Sequence, residues 1–110
     1  MICDDPDAPG KVWSHWAIYD IPRDRRALGQ RVPRSYASSG PHQAQNDFHR
    51  TGYDGPCPPH GDGVHHYRFR LFALSVDHLP VEAPCSCAAV LNAVEKHKLA
   101  EARLTGLYAR

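Results

Sequence analysis

The chain has no run of basic residues longer than Arg25-Arg26, and its formal net charge is only +1 over 110 residues. Nucleic-acid binding draws on clustered Lys and Arg, so that function has no electrostatic support here. No apolar stretch approaches the ~20 residues that span a bilayer. Met1-Ile2-Cys3-Asp4-Asp5 has neither a basic region nor an apolar core, so it does not read as a secretory signal. The four cysteines, Cys3, Cys57, Cys85 and Cys87, form no disulfide framework, and the last two are too close for an easy bridge. A reducing, cytoplasmic setting is the default expectation. Catalytic spacings are missing as well. Gly-x-Ser-x-Gly is absent, and Ser38-Ser39-Gly40 lies in an aperiodic loop, so a hydrolase using His15 or His65 as base has no evident nucleophile. His42, His49, His60, His65, His66 and Cys57 are numerous enough for zinc. None shows a compact spacing such as Cys-x2-Cys or His-Glu-x-x-His, and surface histidines explain them better than a metal. There is no internal repeat or low-complexity tract.

What the chain does have is an acidic turn followed by two strand-like runs that each begin near a histidine. The turn is Asp5-Pro6-Asp7-Ala8-Pro9; the runs are Ser14 to Ile21 and Val64 to Leu71. Side chains alternate faces along a strand, so His15 is expected beside Ala17, Tyr19 and Ile21, and His65 beside Tyr67, Phe69 and Leu71. Both imidazoles then sit at the rim of a core, partly desolvated but reachable, while His66 falls on the solvated face with Arg68 and Arg70. Either histidine alone is most simply a core-edge residue. Two of them together with the acidic turn point to a small polar pocket. Asp5 by itself is equally well explained as a turn former or cap.

The composition suits one modest domain, with 42% hydrophobic and 23% charged residues. Residues 22 to 63 hold most of the ten prolines and the glycines and show little periodicity, which makes them a long loop. Pro84-Cys85-Ser86 followed by Cys87 to Glu95 reads as a helix capped by Ser86. Helix propensity continues into Lys98 to Ala102. The alternation of Ala100, Ala102 and Leu104 against Glu101, Arg103 and Thr105 equally permits a strand.

Several stretches, in order and over essentially the whole chain, resemble the phosphatidylethanolamine-binding / Raf kinase inhibitor-like family in its bacterial form. They are Asp4 to Gly10, Trp13-Ser14-His15-Trp16, Tyr19-Asp20-Ile21-Pro22, Asn46-Asp47-Phe48, Thr51 to Pro59, Val64 to Phe69, and Leu99 to Arg110. The resemblance implies a mostly β fold with antiparallel sheets, one short helix near the C-terminus, and a strand rather than a helix after residue 98. It also implies strands preceding the acidic turn, of which Met1-Ile2-Cys3 is the remnant, so residues 1–110 read as a single but incomplete domain lacking its N-terminal strands. The implied site is an anion pocket formed by Asp5, Asp7, His15, the Pro58-Pro59 loop, His65 and Tyr67. His49 stands where the bacterial relatives carry glycine, so the turn there is expected to differ.

Imidazole and phenol groups can donate hydrogen bonds to phosphate oxygens. Asp5 and Asp7 repel phosphate but can orient the histidines or accept from an ammonium group. That donor and acceptor mixture suits a phosphate-bearing small molecule or lipid head group. The proline loop would hold its wall without ordering on binding. Trp13 is expected in the pocket wall and Trp16 in the core, and Cys57 is read as an inert thiol in the pocket loop. The expected protein is therefore a non-enzymatic, cofactor-free ligand-binding or regulatory domain. The alternatives are inhibition of a protease or kinase through the pocket rim, and a metal-dependent or His/Asp hydrolase.

Overall fold

In the computed structural model, residues 1–29, 32–34 and 41–110 are described. Strand β1 (Ile2–Asp5) is completely buried and lies at the centre of the sheet. It pairs antiparallel with β2 (Trp13–Tyr19) on one side and with β4 (His65–Leu74) on the other. A two-residue strand β3 (His42–Gln43) borders β2, and β5 (Lys98–Tyr108) borders β4. The result is one five-stranded antiparallel sheet in the order β3-β2-β1-β4-β5. What the sequence offers as the stub Met1-Ile2-Cys3 is thus the middle of the sheet. The expected long loop over residues 22 to 63 contains β3; Ser38, Ser39 and Gly40 lie outside the described residues.

The two faces of β1 seed two cores. Ile2 packs with Ala17, Tyr19, Ala44 and Leu79 and with one side of helix α1 (Cys87–His97), which presents Cys87, Val90, Ala93 and Val94. Cys3 packs on the opposite face with Trp16 and Ile18, joined by Phe69. Trp16 is therefore a core residue, as expected. Burial pushes the Cys3 and Cys87 thiols up to about 12, so both stay protonated and unreactive.

Helix α1 begins where the sequence places it. Ser86 is extended, and its Oγ accepts from the Ala89 N–H at 3.1 Å, a cap of a kind worth about 1 kcal/mol. Reciprocal backbone bonds from Gln45 to Cys85 and from Cys87 to Gln45 tie this start to the segment after β3. At the other end the His97 carbonyl accepts from the Ser75 N–H at 2.8 Å, and Lys98 turns extended at once. Residues 98–108 are strand, so the alternation prevailed over helix propensity. Ten residue pairs with β4 hold it. The alternation nonetheless yields no buried face: every residue of β5 is classed as exposed.

Asp4 and Asp5, adjacent in a buried strand, point to opposite faces. A buried carboxylate costs several kcal/mol unless it is paired. Asp4 takes a two-pronged bond from Arg68, at 2.7 and 3.0 Å, and a third from Arg70 at 3.2 Å. Asp5 finds its partner on the other face, in the site described next.

Candidate binding site at the His15 and His65 end of the sheet

The decisive local feature is an irregularity between β1 and β2. Cys3 pairs with Trp16, but Asp4 pairs with Ser14, so His15 is an extra residue with no partner on β1. A bulge of this kind re-aims a side chain. It takes His15 away from Ala17 and Tyr19, the face that strict alternation assigns, and sets its ring edge-on to Tyr67 at 5.3 Å and to Phe48 at 5.3 Å. Phe48 in turn meets Trp13 edge-on at 5.4 Å. On β4 the expected face of His65 and Tyr67 is buried, but the pattern breaks at Leu71, which is 52% exposed.

These rings enclose one side of a cavity of about 280 Å³ lined by Asp5, Ala8, Pro9, Trp13, His15, Phe48, Cys57, Pro58, Pro59 and His65. That is near the small end of ligand pockets, roughly 300–1,000 Å³. A second cavity of equal size beside Gln43, Thr51 and Ala83 to Cys85 has no charged lining residue, so the chemistry lies in the first. Five of the seven expected site residues, Asp5, His15, Pro58, Pro59 and His65, line it together, and Trp13 is in its wall as expected.

The other two stand just outside. Tyr67 lies behind the rings, nearly stacked on His65 with centroids 6.4 Å apart. Its hydroxyl is buried without a hydrogen-bond partner among the described residues, and burial, with the Asp5 carboxylate beside it, pushes the phenol up to about 12. Asp7 turns instead to His66: one of its oxygens accepts from both the backbone N–H and the ring Nδ1 at 2.8 Å. Those bonds hold the Asp7 carboxyl below its ordinary range. His66 is exposed, as its face predicts, but it is tied to the acidic turn.

The protonation of His65 follows from its partners. The ring is 2% exposed. Nδ1 lies 2.7 Å from Asp5 Oδ2, and Nε2 lies 2.6 Å from Asp62 Oδ2. An ionised carboxylate only accepts, so with both carboxyls ionised each nitrogen donates and the geometry favours the imidazolium. These two carboxylates raise its pKa above the ordinary imidazole value, the Asp5 bond most. The second oxygen of Asp5 accepts from the Asp7 N–H at 2.8 Å, so the whole carboxylate is committed to orienting its neighbours.

His15 is oriented differently. Its Nδ1 meets the Asp54 carbonyl at 2.7 Å, which fixes the proton on that nitrogen, while the Asp54 N–H donates to the His15 carbonyl at 3.2 Å. Nε2 makes no hydrogen bond among the described residues. Asp54 is held by Arg34 at 2.6 Å, by Arg50 at 2.9 Å and by Asn46 at 2.6 Å, and the Arg34 guanidinium keeps its carboxyl below the usual range. Asn46, buried, also accepts from the Phe48 and Arg50 N–H groups and donates to the Gly52 carbonyl. His49 occupies the left-handed region at φ 63°, the conformation glycine adopts freely and a side chain adopts at a cost.

Sequence reasoning missed Phe48, Asp54 and Asp62. A backbone carbonyl that orients a ring leaves no trace in residue type, so Asp54 had no signal. Asp62 had one, standing three residues before His65 in a Gly-Asp-Gly turn. The candidate metal ligands do not converge: among the described residues no three His, Cys, Asp or Glu side chains form a metal-holding group.

A single antiparallel sheet, one short helix and a ring-lined cavity at the sheet's end define a β-class binding protein. The chain belongs to the phosphatidylethanolamine-binding protein family, whose sequence profile matches residues 1–109. It is 50% identical over its whole length to a UPF0098 protein of Methanothermobacter thermautotrophicus, and covers 72% of that protein. A UPF0098 protein of Aquifex aeolicus is 46% identical, again over the whole chain, which spans 64% of the relative. The crystal structure of Escherichia coli YbcL, described as a new member of the mammalian PEBP family, superposes with a TM-score of 0.83 at 33% identity, covering 99% of this chain and 69% of YbcL. No helix among the described residues is long and apolar enough to cross a membrane.

Proposed function

We propose that this chain is a non-enzymatic binding domain for phosphate-bearing small molecules or lipid head groups. The observation that carries the reading is the His65 imidazolium at the cavity wall, whose Nε2 already meets an anionic oxygen at 2.6 Å. A phosphate oxygen offers that nitrogen the same charge and acceptor geometry. His15, on the other side of the Tyr67 ring, supplies a second imidazole to the cavity lining with no protein partner on its Nε2 among the described residues, and Trp13, Phe48, Pro58 and Pro59 provide an apolar wall for the carbon part of a head group. Asp5 acts through His65 rather than on the ligand, since both its oxygens are taken by protein donors. The family's name, phosphatidylethanolamine-binding protein, supports the same ligand class.

The test is calorimetric titration of phosphoethanolamine, inorganic phosphate and ethanolamine into the protein and into His15→Ala and His65→Ala. Phosphoethanolamine and phosphate bind the parent, ethanolamine alone does not, and either substitution weakens binding at least tenfold, about 1.4 kcal/mol. Absence of heat with both phosphates, from a protein that remains folded by circular dichroism, would overturn the reading.

A further inference from the structure

Asp62 is the one group on His65 that belongs to neither strand. It sits between Gly61, at φ 78°, and Gly63, at φ 86°, in the turn that precedes β4. The His65 ring is all but sealed, whereas the Asp62 side chain is 38% exposed. The turn is lightly anchored. Its backbone bonds are Asp62 N–H to the Pro59 carbonyl at 3.1 Å and Gly61 N–H to the Arg110 carbonyl at 3.4 Å. A Cβ placed at Gly61 or Gly63 would meet nothing within 4 Å, so both glycines border open space.

The two carboxylates on His65 are therefore unequal. Asp5 is built into the central strand, is 3% exposed and is fixed at both oxygens. Asp62 holds the opposite nitrogen from an exposed turn at the surface, through a single 2.6 Å contact. With both present, the cation is already neutralised and the pair of carboxylates leaves a net negative charge around it. An external anion gains a full charge-assisted hydrogen bond at Nε2 only after the Asp62 oxygen leaves.

We propose that Asp62 is an internal competitor for the anion subsite, occupying His65 Nε2 in the free protein and swinging out when a phosphate group binds. This rests on the anion-binding reading of the cavity given above. A tethered carboxylate three residues away competes at an effective concentration in the millimolar range for short flexible links. It lowers the affinity for every monoanionic or dianionic oxygen ligand and excludes those too weak to displace it. Asp62 thus sets the affinity threshold of the pocket without touching the bound ligand.

The experiment titrates inorganic phosphate into the full chain and into Asp62→Ala, Asp62→Asn and Asp77→Ala, by calorimetry and by the ring-proton shifts of His65. Asp77 is exposed and distant in sequence, so Asp77→Ala makes the same change in net charge without vacating Nε2. Asp62→Ala binds phosphate about tenfold tighter than the parent, Asp62→Asn falls between, and Asp77→Ala matches the parent. The His65 shift displaced in Asp62→Ala returns toward its parent position as phosphate is added. Equal affinity in the parent and Asp62→Ala, or equal gains from Asp62→Ala and Asp77→Ala, would sink the competitor role alone. Loss of phosphate binding in Asp62→Ala, with the protein folded, would make Asp62 a ligand contact and also overturn it. Phosphate bound by neither protein would remove the anion-binding reading itself.

Discussion

The cavity end of the sheet and the edge strand β5 invert the usual relation between polarity and burial. Asp4, Asp5, His15 and His65 are all 3% exposed or less, whereas Leu104 and Leu107 of β5 are 73% and 65% exposed. The polar groups are sealed because each has a partner of matching chemistry: Arg68 and Arg70 for Asp4, His65 for Asp5, the Asp54 carbonyl for His15. The leucines are open because the strand borders only β4 in the sheet and its side chains stay exposed along its length. Residue type fixes what burial would cost or gain; the neighbouring elements decide whether it happens.

The largest effect is expected where a buried polar hub holds the cavity wall. Asn46→Ala removes the donors and acceptor that join Gly52, Asp54, Phe48 and Arg50 and strands several buried partners, so unfolding free energy should fall by about 3 kcal/mol. Urea denaturation measures it, and a loss below about 1 kcal/mol would show that water replaces the amide.

Next in size is the pH dependence of the His65 triad. The folded pKa is raised above the ordinary 6.5 by Asp5 and Asp62. The folded state thus holds this proton more tightly than the unfolded chain, and the stabilisation is fully present below pH 6.5. It is lost as pH rises through the folded pKa. Urea midpoints of the parent should fall across that window, and those of His65→Gln should not.

A smaller gain is expected at His49, where glycine relieves the left-handed backbone. His49→Gly should raise stability by about 1 kcal/mol. Smallest of all is Leu104→Ser on the open strand, which should change stability by less than about 0.5 kcal/mol. A loss above about 2 kcal/mol would mean that β5 is covered in solution, and the comparison between the two regions would fail.

The contrast also separates what was legible in the sequence from what was not. The Ser86 cap and the helix behind it were readable because capping is local chemistry; strand β5 was not decided by its alternation, which propensity contested, and only the family resemblance favoured it. The burial of β5 was not readable, since alternation states which side chains share a face and says nothing of whether that face is met. The placement of His15 was misread for a different reason. Period-two alternation assumes an unbroken ladder, and the bulge opposite Cys3 and Asp4 depends on pairing with a strand ten residues away. His65 and its link to Asp5 were anticipated as residues, yet the second carboxylate, which makes the ring cationic on both sides, lay unexamined in the Gly-Asp-Gly turn. Asp7 was expected in the cavity on the family resemblance, and its carboxylate bonds the exposed His66 instead.

The most direct test of the account is the charge of His65 itself, read from a long-range proton–nitrogen correlation spectrum of the imidazoles in the ligand-free chain. The account predicts that both ring nitrogens of His65 carry the protonated signature at a pH above the ordinary imidazole value. A neutral ring there, with one nitrogen showing the unprotonated shift, would contradict it, because a ring with a lone pair at Nε2 has no charge to offer an anion.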